Sequence, residues 1–193
     1  MKFPRSVLGL AGAMSLMLLA PGAGVAADTA QSSATAQRDG AHDFDFNIGT
    51  WHTHIRHILD PLAGKGDALE LDGTVTVRKV WGGRAQLEEI EADGANGHWE
   101  GLTLFLYNPA AHQWSQTFVD SKMGELNPSS IGSFSNGRGE LIAQDTFKGR
   151  SVLVRGVWSD IQPDSHHFEE FISEDGGKTW APAFIASLTR LKP

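Results

Sequence analysis

From residue 41 onward the chain is punctuated by turn signals every eight to sixteen residues, and no stretch between them carries a convincing helical period. The signals are Gly82-Gly83, Asp93-Gly94 with Asn96-Gly97, Asn108-Pro109, Asn136-Gly137, Lys148-Gly149, Pro163-Asp164 and Asp175-Gly176-Gly177. Glycine takes positive φ without steric cost and proline pre-sets φ, so each dipeptide ends one extended run and starts the next. The runs between them read as strands over 51–58, 71–81, 84–92, 98–108, 112–120, 131–135, 140–147, 151–159, 166–173 and 180–191, with 121–130 as a loop. About ten short strands at regular spacing predict an all-β, antiparallel sandwich or barrel. A small closed β-structure acts through its interior or its mouth, which is where function is sought.

The first 27 residues read as a secretory signal peptide. Lys2 and Arg5 form a positive start, Val7 to Leu19 an apolar run, and Val25-Ala26-Ala27 a small-residue cleavage site. That run is shorter than the roughly 20 residues a membrane span needs, and no later stretch is apolar enough to span. The expected location is periplasmic or secreted. Residues 28–41, rich in Ala, Ser, Thr and Gln, read as a flexible lead, and 42–193 as a single domain. The chain has no cysteine, which excludes a lipid anchor on Cys and a disulfide framework. Without Lys2 and Arg5 the formal charge of -7 becomes -9. An acidic surface disfavours nucleic acid and anionic lipid as partners.

Gly49-Thr50-Trp51 opens the domain. In lipocalins and their relatives a G-x-W at this point closes the floor of a barrel: the glycine permits the bend, and the indole plugs the end and donates its N–H. Together with "FDFNIGTW", the segments "GLTLFLYNPAAHQWSQTFVDS", "DTFKGRSVLVRGVWSDIQPDS" and "SEDGGKTW" resemble a family of uncharacterised bacterial proteins placed with the calycins, across Phe44 to Arg190. The resemblance implies an antiparallel calycin-like barrel and brings no reaction. Nitrobindin-like relatives hold haem through a late histidine, but this chain ends "FIASLTRLKP", so no cofactor is expected. Ser173 to Trp180 matches the S-x-D-x-G-x-T-W box of sialidase propellers. One copy cannot build a propeller, so the box reads as a hairpin device: Ser173 and Asp175 bond the turn and Trp180 packs the returning strand.

Charges embedded in apolar faces supply the candidate site. Arg155 sits between Leu153 and Val157 and Asp145 between Ala143 and Phe147; Glu89 follows Leu87, Asp120 follows Phe118, and Glu169 precedes Phe171. Period-two alternation puts each on a face with large apolar groups. An ion buried alone costs several kcal/mol, so these charges are expected to pair or to meet a ligand. The opening strand poses a conflict. If Trp51 points inward, alternation sends Thr53, Ile55 and His57 inward and His54 and Arg56 outward, unless a bulge near His52 reverses the strand. The resemblance implies an inward His-x-Arg pair here, and His54 and Arg56 are taken as inward. His52 and His54 could chelate a metal only with a third ligand that sequence cannot place, and no metal is expected.

These residues predict a small-molecule-binding protein. A partly polar organic ligand would meet His54, Arg56, Glu89, Asp120, Asp145, Arg155 and Glu169, with Trp114, Trp158 and Phe171 as aromatic walls. The alternative is an enzyme, an isomerase, lyase or hydrolase of a small metabolite, pairing His54 with Glu89, Asp145 or Glu169 as acid and base. A histidine and a carboxylate converging within hydrogen-bond reach in the cavity would favour the enzyme.

Overall fold

A computed structural model describes residues 39–64 and 67–192. The expected signal peptide and most of the expected lead lie outside the described residues. Ten strands follow one another: β1 Gly49–Ile58, β2 Ala68–Val80, β3 Ala85–Gly94, β4 Gly97–Asn108, β5 Gln113–Asp120, β6 Ser130–Ser135, β7 Arg138–Phe147, β8 Arg150–Gln162, β9 Ser165–Ser173 and β10 Ala181–Arg190. Each pairs antiparallel with its chain neighbours, and β1 also pairs with β10, from Trp51 opposite Arg190 to His57 opposite Phe184, which closes a ten-stranded barrel. Asn136-Gly137, with φ of 52° and 75°, makes the β6–β7 hairpin, where two successive positive φ values match the twist of the flanking strands. The pairing is weakest between β5 and β6, where it ends at Gln116 opposite Ser130.

One end of the barrel is plugged by the chain entering β1. Residues 39–44 and a single helical turn over Asp45–Asn47 cross that end. Phe44 is fully buried there, with its ring 4.7 Å from Phe105, 4.8 Å from Phe134, 5.0 Å from Trp158 and 5.2 Å from Trp114. Asp39–Ala41, the end of the segment read as a flexible lead, is docked. Tyr107 donates to Asp39, the Trp114 indole donates to the Gly40 carbonyl at 2.9 Å, and Ala41 packs beside Phe44. Trp51 is wholly buried and donates its N–H to the Asn47 carbonyl at 2.8 Å, as the G-x-W reading expects of a floor residue.

Arg190, the last residue of β10, clamps this plug. It donates to the carbonyls of Ile48 (2.9 Å), Phe46 (3.0 Å) and Pro163 (2.9 Å), and its guanidinium lies 3.9 Å from the Trp51 ring. Gly49 makes room for it: φ is 135°, and a Cβ would sit 2.4 Å from Arg190 Nη1. Gly49→Ala therefore combines a strained backbone with a displaced guanidinium and is expected to cost about 1–3 kcal/mol in denaturant unfolding.

The Ser173–Trp180 box is a hairpin device. Asp175 accepts from the Lys178 and Thr179 amides at 2.9 and 3.0 Å and from the Thr179 hydroxyl at 2.7 Å, and Ser173 bridges Asp175 and the Gly177 amide. These donors hold the Asp175 carboxyl well below the usual carboxylate range. A depressed folded pKa stabilises above the unfolded value and is lost on acidification. Asp175→Ala is thus expected to lower the melting temperature at neutral pH, less so in acid, and to leave ligand uptake unchanged.

Candidate functional site

Above the plug the barrel is hollow. A chamber of about 580 Å³ runs from Trp158 and His166 up to a mouth rimmed by Leu59, Pro61 and the 121–129 loop. Its wall follows from alternation begun at the buried Trp51. Thr53, Ile55 and His57 of β1 face in, then Glu88 and Ile90 of β3, Trp99 and Thr103 of β4, and Gln116, Phe118 and Asp120 of β5. Asp145 of β7, Val152, Val154 and Trp158 of β8, and His166, Phe168 and Glu170 of β9 continue the ring. On β10 a shift of register between Pro182 and Phe184 turns Ala183 and Phe184 both to the interior.

The chamber wall carries a run of aromatic rings and several carboxylates. Trp158 stands 4.7 Å from Phe168, Phe168 6.1 Å from Phe184, Phe184 6.4 Å from Trp99, and Trp99 6.1 Å from Phe118, a continuous arc of rings. Near the floor Glu88 accepts from Asn47 Nδ2 at 3.1 Å and from the Thr103 hydroxyl at 2.8 Å. Burial pushes its carboxyl above the usual range, and the two donors only partly oppose this. Higher up, Glu170 is pushed to about 7, first by burial and then by the charge of Asp145. Of the described residues that line the chamber, none is Lys or Arg. Burial lowers the pKa of both lumenal histidines, His166 to about 4, so both are neutral at neutral pH.

Two buried polar atoms on the wall lack a partner. Thr53 Oγ1 and His166 Nδ1 accept or donate no hydrogen bond, although the residues are 0% and 1% exposed. Such groups ordinarily find a partner, because leaving one unsatisfied costs about 1–3 kcal/mol. Among the described residues no three His, Cys, Asp or Glu side chains converge to hold a metal ion.

Ten residues were expected in the interior, and the chamber takes three of them. Asp120, Asp145 and Trp158 line it. Trp114 is inside the barrel but sealed in the plug against Phe44 and Tyr107, away from the chamber. The other six sit on the outer wall. His54 and Arg56 follow regular alternation outward, with no bulge at His52. His54 meets Asp72 (3.1 Å) and Glu70 (3.3 Å), and Arg56 meets Glu70 (2.7 Å). Arg155 lies outside between the Phe171 and Trp180 rings, 5.1 and 4.2 Å from their centres. Glu89 and Glu169 point out because their neighbours Glu88 and Glu170 point in. The expected meeting of arginines and acids inside the barrel is therefore corrected: the interior is acidic and the arginines are external.

Sequence reasoning missed Glu88, Glu170 and His166, and set aside Thr53 and His57 in favour of His54 and Arg56. The signal was present in one place. Alternation from an inward Trp51 names Thr53, Ile55 and His57 without further information. For Glu88-Glu89 and Glu169-Glu170 the sequence shows that one carboxylate of each pair faces in, but not which.

Fold and chamber define a closed, ten-stranded antiparallel barrel with an open interior. The chain belongs to the family described as "Protein of unknown function (DUF1579)", whose model matches residues 42–190. No curated protein is recognisably similar in sequence. The fold is shared with the S-type phycobiliprotein lyase CPES from Guillardia theta, at a TM-score of 0.53 and 13% identity over 81% of this chain and 95% of that one. Weaker likeness extends to EF1p2_mFAP2b bound to DFHBI, at a TM-score of 0.44 and 9% identity over 79% of this chain and 99% of that one. It extends also to a redesigned beta barrel, mFAP0, bound to DFHBI, at 0.42 and 10% over 75% of this chain and 99% of that one.

Proposed function

We propose that this is an exported binding protein that holds a small, partly polar organic molecule inside the barrel. The observation that carries the reading is the chamber: about 580 Å³ of space within a closed sheet, reached through a mouth that combines exposed apolar side chains with Asp120 and Glu125. That volume lies in the range of small-molecule sites, which are mostly apolar with a few placed polar groups. Leu59, Met123 and Leu126 at the mouth are 45%, 67% and 73% exposed, apolar side chains of the kind that mark an entrance rather than a solvated loop. The lone Thr53 and His166 atoms supply unmet hydrogen-bonding capacity on the wall.

The enzyme alternative asks for a histidine and a carboxylate joined inside the cavity. His57 feels the charge of Asp120, yet neither His57 nor His166 hydrogen-bonds a carboxylate among the described residues. Binding is the better-supported reading. Export rests on the basic start, apolar run and small-residue site of the first 27 residues.

Native mass spectrometry of the protein purified from its own host tests the reading. The expected spectrum shows a discrete added mass that is lost on denaturation, on a chain beginning near Asp28. The bare mass alone, together with a crystal structure whose lumen is filled by its own side chains, would overturn it.

A further inference from the structure

Asp145 and Glu170 of the chamber wall also line a small side niche. It has a volume of about 30 Å³ and lies where the β5–β6 pairing stops, walled by Gln116, Asn127, Asp145 and Glu170. A water molecule needs roughly 10–15 Å³ by this measure, so a small polar head group fits. Its polar lining sets two carboxylates beside two side-chain amides, and Phe118, Pro128, Ala143 and Val154 supply apolar wall. Two carboxylates face each other across it, and the side chains of Gln116, Asn127 and Glu170 make no hydrogen bond within the described chain. Asp145 uses one oxygen on the Thr146 amide, at 2.6 Å, and keeps the other. Asp120 stands nearby at the mouth, and the neutral histidines add no positive charge.

Two carboxylates in a niche can simply share a proton. The rest of the chamber gives it direction. The niche is continuous with a space lined by four linked rings, Trp99, Phe118, Phe168 and Phe184, and by the unpartnered, fully buried Thr53 hydroxyl. Negative charge at one end and aromatic faces along the wall select the same ligand property. Both attract a cation carried on an apolar body, the first by Coulomb attraction in a sheltered site and the second through ring quadrupoles. An anionic ligand would meet like charge with no arginine or lysine among the described lining residues to offset it.

We infer that the chamber's occupant is an amphiphilic organic cation: its ammonium group seats in the niche between Asp145 and Glu170, and its apolar body lies along the Trp99–Phe168 wall. This rests on the binding reading above and specifies its ligand class.

The test is displacement of phenylnaphthylamine, a neutral apolar fluorophore, by three molecules of equal chain length: octylamine, octanol and octanoate. The measurement is made at about pH 8, above the folded pKa of Glu170, with octylamine as the ammonium ion. The expected order is octylamine first, at least about tenfold more effective than octanol, with octanoate weakest. In the Asp145→Asn, Glu170→Gln variant octylamine and octanol are expected to displace the fluorophore with equal potency. Equal potency of amine and alcohol in the wild type, a preference for octanoate, or an amine preference that survives in the variant would overturn the inference and leave the binding reading standing. Failure of the wild type to take up phenylnaphthylamine at all would remove both.

Discussion

Phe44→Ala is expected to lower the free energy of unfolding by about 3–5 kcal/mol, the cost of removing a large buried ring whose site cannot collapse. The site cannot collapse because Phe44 is enclosed by rings from separate strands: Phe105 on β4, Trp114 on β5, Phe134 on β6 and Trp158 on β8. Those strands are fixed by the closed sheet, so deletion leaves a cavity rather than a repacked core. At roughly 2–4 °C per kcal/mol for a domain of this size, the melting temperature should fall by about 10 °C. The Phe44 carbonyl also accepts from Gln86 Nε2 at 3.1 Å, so the plug's backbone is expected to loosen with its side chain. Calorimetry checks the prediction, and a loss below about 1 kcal/mol would mean that the plug does not close the barrel.

Glu170→Gln is expected to stabilise the protein, and only on the alkaline side. The folded pKa of Glu170, about 7, exceeds its unfolded value near 4.5. Between those values the native chain binds more protons than the unfolded one, so stability falls as pH rises and levels off above about 7. The full penalty is at most about 3 kcal/mol, reduced because the side chain retains some contact with solvent in the chamber. His166 acts in the opposite sense. Its folded pKa of about 4 lies below the ordinary histidine value of 6.5, so stability falls as pH drops through that window. The two effects oppose each other between about pH 4.5 and 6.5, and the wild-type profile is flattened there. The difference between variant and wild type isolates Glu170: near zero in acid, growing through neutrality, constant beyond it. Urea unfolding across pH reads that difference, and a gap that ignores pH would mean that the carboxyl is not sheltered.

The architecture was largely legible before the structure. Each of the ten strands falls where the turn signals place it, because glycine, asparagine and proline dictate backbone geometry locally. The Trp51 floor and the Ser173–Trp180 hairpin were legible for the same reason: each is a short motif whose partners lie within a few residues or at the barrel end. The choice of face was not. Leu102, Leu104 and Leu106 alternate with inward residues, yet they stand on the outer wall at 38%, 44% and 38% exposure, as do Ile131 and Ile142. With apolar residues on both faces, apolar neighbours do not say which way a charge points, and Arg155, Glu89 and Glu169 were misplaced by that rule. Period two held an unused check. Arg155 and Trp158 are three apart on one strand and cannot share a face without a bulge. The plug was hidden for another reason: Asp39–Ala41 has no apolar period, and its docking depends on Tyr107 and Trp114, which are distant in sequence.

The central claim, an accessible chamber that takes a small molecule, is tested most directly by filling it. Val154 borders both the chamber and the niche. Phenylnaphthylamine titrated into the wild type is expected to give saturable, one-to-one fluorescence enhancement. In Val154→Trp, whose indole would project into the space while the barrel stays folded by circular dichroism, the enhancement should be lost. Uptake that is equal in the two proteins, or absent from both, would contradict the account.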